Sequence, residues 1–397
     1  MADLDRLADL AVSFGANVQP GQVVGVAGEL EHAPLVRRIA KRAYEKGARF
    51  VDVAYFDPYV KRARIAHAPV DTLEFVPSWY GERWLGLGRE KAAYIAVSGP
   101  SAPGLLADLD QDRAGRDRLP MVKESLRVIN DRSVNWTVVP YATAGWARTV
   151  YPEMDEETAV ERLWDELAHV CRLDETDPVA AWEGRMEATV GAAERLSALR
   201  FDALHFGGDG TDLTIGLLPS SRWFAARFET ADGLVHHPNL PTEEVFTTPD
   251  PARTEGHVRS TKPLVFADGG VVRGLRVRFE GGVAVEVEAD EGTENLIARI
   301  DEDEGGRKLG EVALVDRDGR IGPRKTVFYD TLLDENAASH VALGMGFEFA
   351  CDESDKGRVN HSATHIDFMI GGDDVDVTGI TADGGRAPVL RQGSWQI

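Results

Sequence analysis

The chain has 397 residues, with 44 Lys plus Arg against 66 Asp plus Glu and a formal net charge of −22. A single core stops growing near ~250–300 residues, so two domains are expected, and the 43% hydrophobic content with 15 Phe and 8 Trp provides packed cores and argues against disorder. So acidic a surface repels polyanions and argues against a nucleic-acid partner; two cysteines, Cys171 and Cys351, make neither a disulfide framework nor a CxxC zinc knuckle, and fit a reducing cytoplasm.

The opening MADLDRLADLAVSFGANV reads as an amphipathic helix with Leu4, Leu7, Leu10 and Ala11 on one face, not as a signal peptide. No stretch reaches the ~18–20 apolar residues of a membrane span. Gln22–Ala27 follows the turn pair Pro20-Gly21 and reads as a strand. A helix is expected from Ala33 to Lys46, ended by Gly47, and a second strand over Arg49–Ala54. That is a βαβ unit, hence a parallel sheet, which Ala92–Val97 and Asn135–Pro140 extend. No GxGxxG follows the first strand, so a dinucleotide site gains no support. Two surface helices are expected over Glu156–Leu173 and Val179–Leu199.

Beyond Phe201, short strands alternate with Gly and Asp turns, and Gly281-Gly282 between GLRVRFE and VAVEVEA signals a hairpin. The expected fold class is therefore α/β plus α+β. An N-terminal α/β domain with a parallel sheet takes residues 1–200. A C-terminal domain of mostly β structure with a few helices takes 201–397.

Potential metal ligands gather in the C-terminal half. His365 and Asp367 lie two apart in THIDFMIG, so on a strand they share a face. Glu311 sits among apolar residues in LGEVALVD, opposite Val312, where a carboxylate is costly to bury unless paired or metal-bound. His340 lies in LLDENAASHVALG, read as a helix capped by Asp334 and ended by Gly344. Glu243 and Glu244 follow Pro241 in NLPTEEVFTTPD, where one carboxylate of such a pair can bind metal while its neighbour relays a proton. The bland alternative for that pair is the first turn of a helix. Carboxylates mixed with imidazoles suit Zn, Co, Mn or Mg, and a bridged pair of ions needs about this many ligands.

NLPTEEVFTTPD, RTEGHVRSTKPL, LGEVALVD, TLLDENAASHVALG and NHSATHIDFMIGG together resemble the thermophilic-type metallo-aminopeptidases, the aminopeptidase T, S and II group. The resemblance runs from about Asp209 to the C-terminus and more weakly through NVQPGQVV. It implies removal of N-terminal residues from peptides, two divalent ions (Zn or Co typical, Mn or Mg as alternatives) and a homodimer. Carried over by motif, it implies Glu311, His340, His365 and Asp367 as metal ligands, Glu244 as the remaining ligand and Glu243 as the proton carrier, with the last two interchangeable. One position departs from the family: Phe347 stands seven residues after His340, where a site tyrosine is usual. Phe has no hydroxyl to ligate a metal or steady an oxyanion. This leaves room for a metal-binding relative with altered or lost peptidase activity, or for a hydrolase of other small amides. Arg253, Arg259 and Lys262 in RTEGHVRSTKPL either meet a substrate or balance the acidic surface.

Overall fold

The β-branched runs of the first third pair as expected. In the computed structural model, which describes residues 2–117, 119–120, 122–266 and 270–397, Val23–Glu29, Phe50–Phe56, Ala93–Ser98 and Asn135–Pro140 form a four-stranded sheet. Phe50–Phe56 is at one edge, then Val23–Glu29, Ala93–Ser98 and Asn135–Pro140, all parallel. Parallel neighbours need crossovers. The first is the helix Ala33–Glu45, with Pro34 in its first turn and Leu35, Val36, Ile39 and Ala43 buried at helical spacing.

The chain divides into two compact units: Met1–Gly184 with Arg227–Pro241, and Arg185–Ala226 with Thr242–Ile397. Relative to a break at 200/201, the division falls earlier, within the helix Pro178–Leu199. Residues 227–241 return to the first unit because they hydrogen-bond along its edge strand. Val138 N donates to Pro238 O at 2.7 Å, and Leu240 N to Val138 O at 3.0 Å.

The second unit contains two larger antiparallel sheets. One has eight strands and includes the hairpin Arg276–Glu280/Val283–Glu288, turned by Gly281-Gly282 with both residues at positive φ. The other has five strands, in the order His365–Met369, His340–Gly344, Leu309–Val315, Glu244–Thr247 and Phe224–Ala225. One core joins them: Leu204, Phe206, Leu213 and Ile215 from the first meet Val312, Leu314, Val341, Leu343, Ile366 and Phe368 from the second. Each such side chain stabilises the fold by about 1.5–3 kcal/mol relative to exposure.

Because strand side chains alternate, burying Val312, Leu314, Val341, Leu343, Ile366 and Phe368 sends their neighbours to the other face. That face carries Glu244, Glu311, His340, His365 and Asp367. One irregularity makes this possible. Leu309 faces the core opposite Leu343, yet Glu311, two residues on, pairs with Ala342 and faces the other way. The register shift at Gly310 is a bulge that reverses the facing. Gly310 is hemmed in by backbone: a Cβ there would lie 2.2 Å from Met345 O and 2.3 Å from Gly344 O. Gly310→Ala is therefore expected to lower the unfolding free energy by about 1–3 kcal/mol or more, read as a lower urea midpoint at unchanged slope.

Candidate metal centre

The buried sheet just described fixes the backbone beneath the site. In register, Glu311 lies opposite Ala342 and Ala342 opposite Asp367, while Ala313 lies opposite His340 and Phe246. Ala313 and Ala342 leave the middle of this face open, and the acids and imidazoles stand around them.

His340 Nε2 is 3.1 Å from Glu244 Oε2. His365 Nε2 is 3.1 Å from Glu311 Oε2 and 3.4 Å from Asp367 Oδ1. Two sets of potential ligand atoms lie within 4.8 Å of one another, Glu244/Glu311/His340 and Glu311/His365/Asp367, so Glu311 belongs to both. Both rings are oriented from behind. His340 Nδ1 is 3.2 Å from Ala338 O, and His365 Nδ1 is 2.8 Å from Met345 O. A carbonyl oxygen only accepts, so Nδ1 carries the proton in each ring, and Nε2 of the neutral ring presents a lone pair to the carboxylates. Acceptors facing acceptors at 3.1 Å require a proton or a cation between them. Asp367 Oδ1 is buried and accepts no hydrogen bond, an open coordination position of the kind a metal ion satisfies. The donor set thus fits divalent metal ions.

The electrostatics carry the same strain. Burial alone would lower the His340 pKa, but the hydrogen bond and charge of Glu244, with Glu311 and Asp367 behind, raise it to about 10. Burial lifts Glu311 to about 7, with the charges of Asp367 and Glu244 adding and His365 opposing. At His365 burial is outweighed by Asp367 and Glu311, which raise it. At Asp367 burial is outweighed by His365, which holds the carboxyl low.

A further carboxylate belongs to this field. Glu335 is pushed well above the usual range, first by burial, then by the charges of Asp367 and Glu244. It ends the short helix Thr331–Glu335. In sequence, Glu335 sits between Asp334 and Asn336 with nothing to set it apart from solvated surface except its place inside TLLDENAASHVALG, five residues before His340.

The local structure around His340 also differs from expectation. The segment is not one helix. A helix capped by Asp330 covers Thr331–Glu335, and His340 opens a strand. Asp334 instead accepts from Phe328 N at 2.8 Å and Asp330 N at 3.2 Å. In HVALG, Val341 and Leu343 alternate into the core while the strand pairs on both sides, and this period-2 burial overrides the helix preference of Ala342 and Leu343.

Glu243 and Glu244 are neighbours and face apart. Glu244 joins the cluster. Glu243 does not: its Oε2 accepts from Arg185 Nε at 2.5 Å and its Oε1 from Arg320 N at 3.2 Å. Arg185 also holds Asp316, at 3.0 Å. Glu243 N donates to Asn336 Oδ1 at 2.7 Å, tying the Glu244 strand to the residue after Glu335. Glu244 opens the strand Glu244–Thr247, and no helix starts at the pair. Arg253 and Arg259 lie in surface ion pairs with Asp202 and Asp209. Lys262 is half-buried, its ammonium pKa lowered by burial and partly restored by Asp334. Phe347 packs against the ring of His365, centroids 5.5 Å apart.

The profile of the family described as thermophilic metalloprotease (M29) matches residues 1–395. Aminopeptidase T of Thermus aquaticus is 43% identical over 404 residues, across 100% of this chain and 98% of the relative. Aminopeptidase AmpS of Bacillus subtilis is 38% identical over 403 residues, across 99% and 98%. The solved structure of wild-type AmpT from Thermus thermophilus matches with a TM-score of 0.93 at 42% identity, across 100% of this chain and 99% of that one. The fold and the acid–imidazole cluster define a metal-dependent peptide-bond hydrolase. The chain belongs to the thermophilic metalloprotease (M29) family.

The helix that carries Glu335 titrates at its cap. Burial raises the Asp330 carboxyl to about 6, against opposing hydrogen bonds from Leu333 and Leu332. The folded state therefore holds a proton that the unfolded chain releases above about pH 4, and stability from this group falls as pH rises from about 4 through 6. Asp330→Asn keeps the cap and removes the titration. In chelator, urea unfolding of the variant is expected to lose this part of the pH dependence and to gain stability at pH 7 relative to the parent.

Proposed function

We propose that the chain is an aminopeptidase that removes N-terminal residues from peptides with two divalent ions, Zn or Co before Mn or Mg. The observation that carries this reading is the double use of Glu311, common to both ligand sets. Glu244 and His340 complete one set, and His365 and Asp367 the other. With Glu335, four carboxylates and two neutral imidazoles carry a charge of −4, which two divalent cations neutralise. When bound, such ions supply a Lewis acid for the scissile carbonyl and make water acidic enough to ionise near neutral pH.

The remaining work belongs to the protein. Glu335 is our choice for proton carrier in place of Glu243, because the Glu243 carboxylate is engaged by Arg185 and Arg320. The field of Asp367 and Glu244 suits the Glu335 carboxyl to accepting a proton from the attacking water and passing it to the leaving amine. Arg185 and Asn336 act as positioning residues for the Glu243–Glu244 backbone. A homodimer and a cytoplasmic location complete the reading, the latter in keeping with two free, buried cysteines; among the described residues no helix is long and apolar enough to cross a membrane.

Protein reconstituted with Zn, Co or Mn is expected to release the first residue of dipeptides and of leucine p-nitroanilide. Glu311→Gln should bind less metal, whereas Glu335→Gln should keep most of its metal and lose kcat by about 10²–10⁴-fold. Metal analysis with no release from any substrate in the parent would overturn the reading.

A second reading rests on Phe347, which offers no hydroxyl beside His365: turnover is slow, or directed to other small amides. Phe347→Tyr is expected to raise kcat on peptides by up to about 10²-fold if an oxyanion donor is what the site lacks. An unchanged rate would remove this reading.

A further inference from the structure

The face that carries the acids and imidazoles continues, toward the Phe224–Ala225 edge, into aromatic rings. Phe246 is two residues from Glu244 on the same strand and therefore on the same face, and it pairs in register with Phe224. The turn after the His340 strand adds Phe347 and Phe349. Centroid separations run 5.5 Å from His365 to Phe347, 5.3 Å from Phe347 to Phe349, 5.4 Å from Phe347 to Phe246 and 5.4 Å from Phe349 to Phe224. The rings make one unbroken wall that starts on an imidazole of the metal centre.

This wall is not sealed. Phe246 is buried, but Phe347 and Phe224 are half-buried and Phe349 is 49% exposed. Met345, whose carbonyl holds His365, is 40% exposed. Glu348, between the two aromatics in sequence, turns to His361, 3.8 Å away. An open apolar surface against a polar, charged centre is the layout of a ligand site: polar groups fix the reacting atoms, and apolar walls take the side chain.

The geometry points to the Phe224–Phe246–Phe347–Phe349 wall as the subsite for the side chain of the peptide's N-terminal residue, selecting large apolar residues. This rests on the aminopeptidase reading above. The bond cut by an aminopeptidase lies directly after the N-terminal residue, so that residue's side chain must leave the metal centre sideways, and the wall begins at His365. Rings exclude water, so a charged side chain loses hydration there without gaining a partner, while an apolar one gains area and ring contacts.

Metal-loaded full-length protein is tested on Phe-Ala, Leu-Ala, Ala-Ala, Glu-Ala and the reversed Ala-Phe. Expected for the parent is a kcat/KM for Phe-Ala at least about tenfold above Ala-Ala, with no such gain for Ala-Phe. Phe349→Ala, where the ring is 49% exposed, should bring the Phe-Ala to Ala-Ala ratio down to about one to three. Val285→Ala, exposed on the other sheet of this unit, should leave the ratio at the parent value. In parallel, calorimetric binding of phenylalaninamide and alaninamide is measured on parent and Phe349→Ala. Preferential binding of phenylalaninamide that Phe349→Ala abolishes supports the subsite even if no dipeptide is cleaved, an outcome in which only the aminopeptidase reading fails. Equal binding of the two amides, a preference lodged in the second residue, or a Phe349→Ala variant that changes oligomeric state with selectivity intact would overturn it.

Discussion

Mutual repulsion among Glu244, Glu311, Glu335 and Asp367 is the constraint around which the second unit is organised. Burial first, and then the charges of neighbouring acids, raise Glu311 and Glu335, and gathering these acids out of water opposes folding. They are held together by the other face of the same sheet. Val312, Leu314, Val341, Leu343, Ile366 and Phe368 cannot leave the core without a large loss of burial, so the strands, and the acids on them, stay in register. The apolar face thus supplies the stability that the acidic face withdraws. A bound cation reverses the balance, because it turns the repulsion into ligation and couples metal affinity to folding.

Much of this was legible in the sequence, for a physical reason. Where a candidate ligand sits on a strand with regular alternation, as His365 and Asp367 do, spacing alone gives the shared face. The parallel sheet was equally plain, since the run Asn135–Pro140 is a strand with those same ends. Legibility failed where local preference and tertiary pairing disagree. ENAASHVALG is rich in helix-forming alanine, and only the two neighbouring strands make its second half extended. Glu311 faces opposite Val312, as regular alternation in GEVALV leads one to expect, whereas the bulge at Gly310 that also turns Leu309 to the core is not announced by composition. Residues 227–241 belong with the first unit through backbone hydrogen bonds to Val138, which carry no side-chain signature.

The two glutamates beside each other illustrate how far a motif can be read. Adjacent acids suggest a division of labour, and extended backbone does divide them, sending them to opposite sides. What the motif could not contain is the partner waiting on each side. Arg185, 58 residues earlier, meets Glu243, and His340 meets Glu244. A guanidinium shared between Glu243 and Asp316 holds the Glu243 carboxylate in place, which suits anchoring. At Glu335 burial first, then the charges of Asp367 and Glu244, push the carboxyl up, and Asn336 contacts it at 3.4 Å. Proton transfer is therefore proposed for Glu335 and anchoring for Glu243.

Phe347 joins the chemistry to the selectivity. Its ring packs among Phe246, Phe349 and His365. Against the tyrosine that the sequence resemblance leads one to expect here, phenylalanine would have two effects at one position. It would lack a donor for developing negative charge, and it would keep the end of the aromatic wall beside the imidazole apolar. On the proposed reading the first effect would slow every substrate alike, whereas the second would favour those with an apolar first side chain. Transition-state stabilisation lost with the donor would then be partly recovered, for such substrates only, through binding against the wall, because side-chain binding that positions the scissile carbonyl also lowers the barrier.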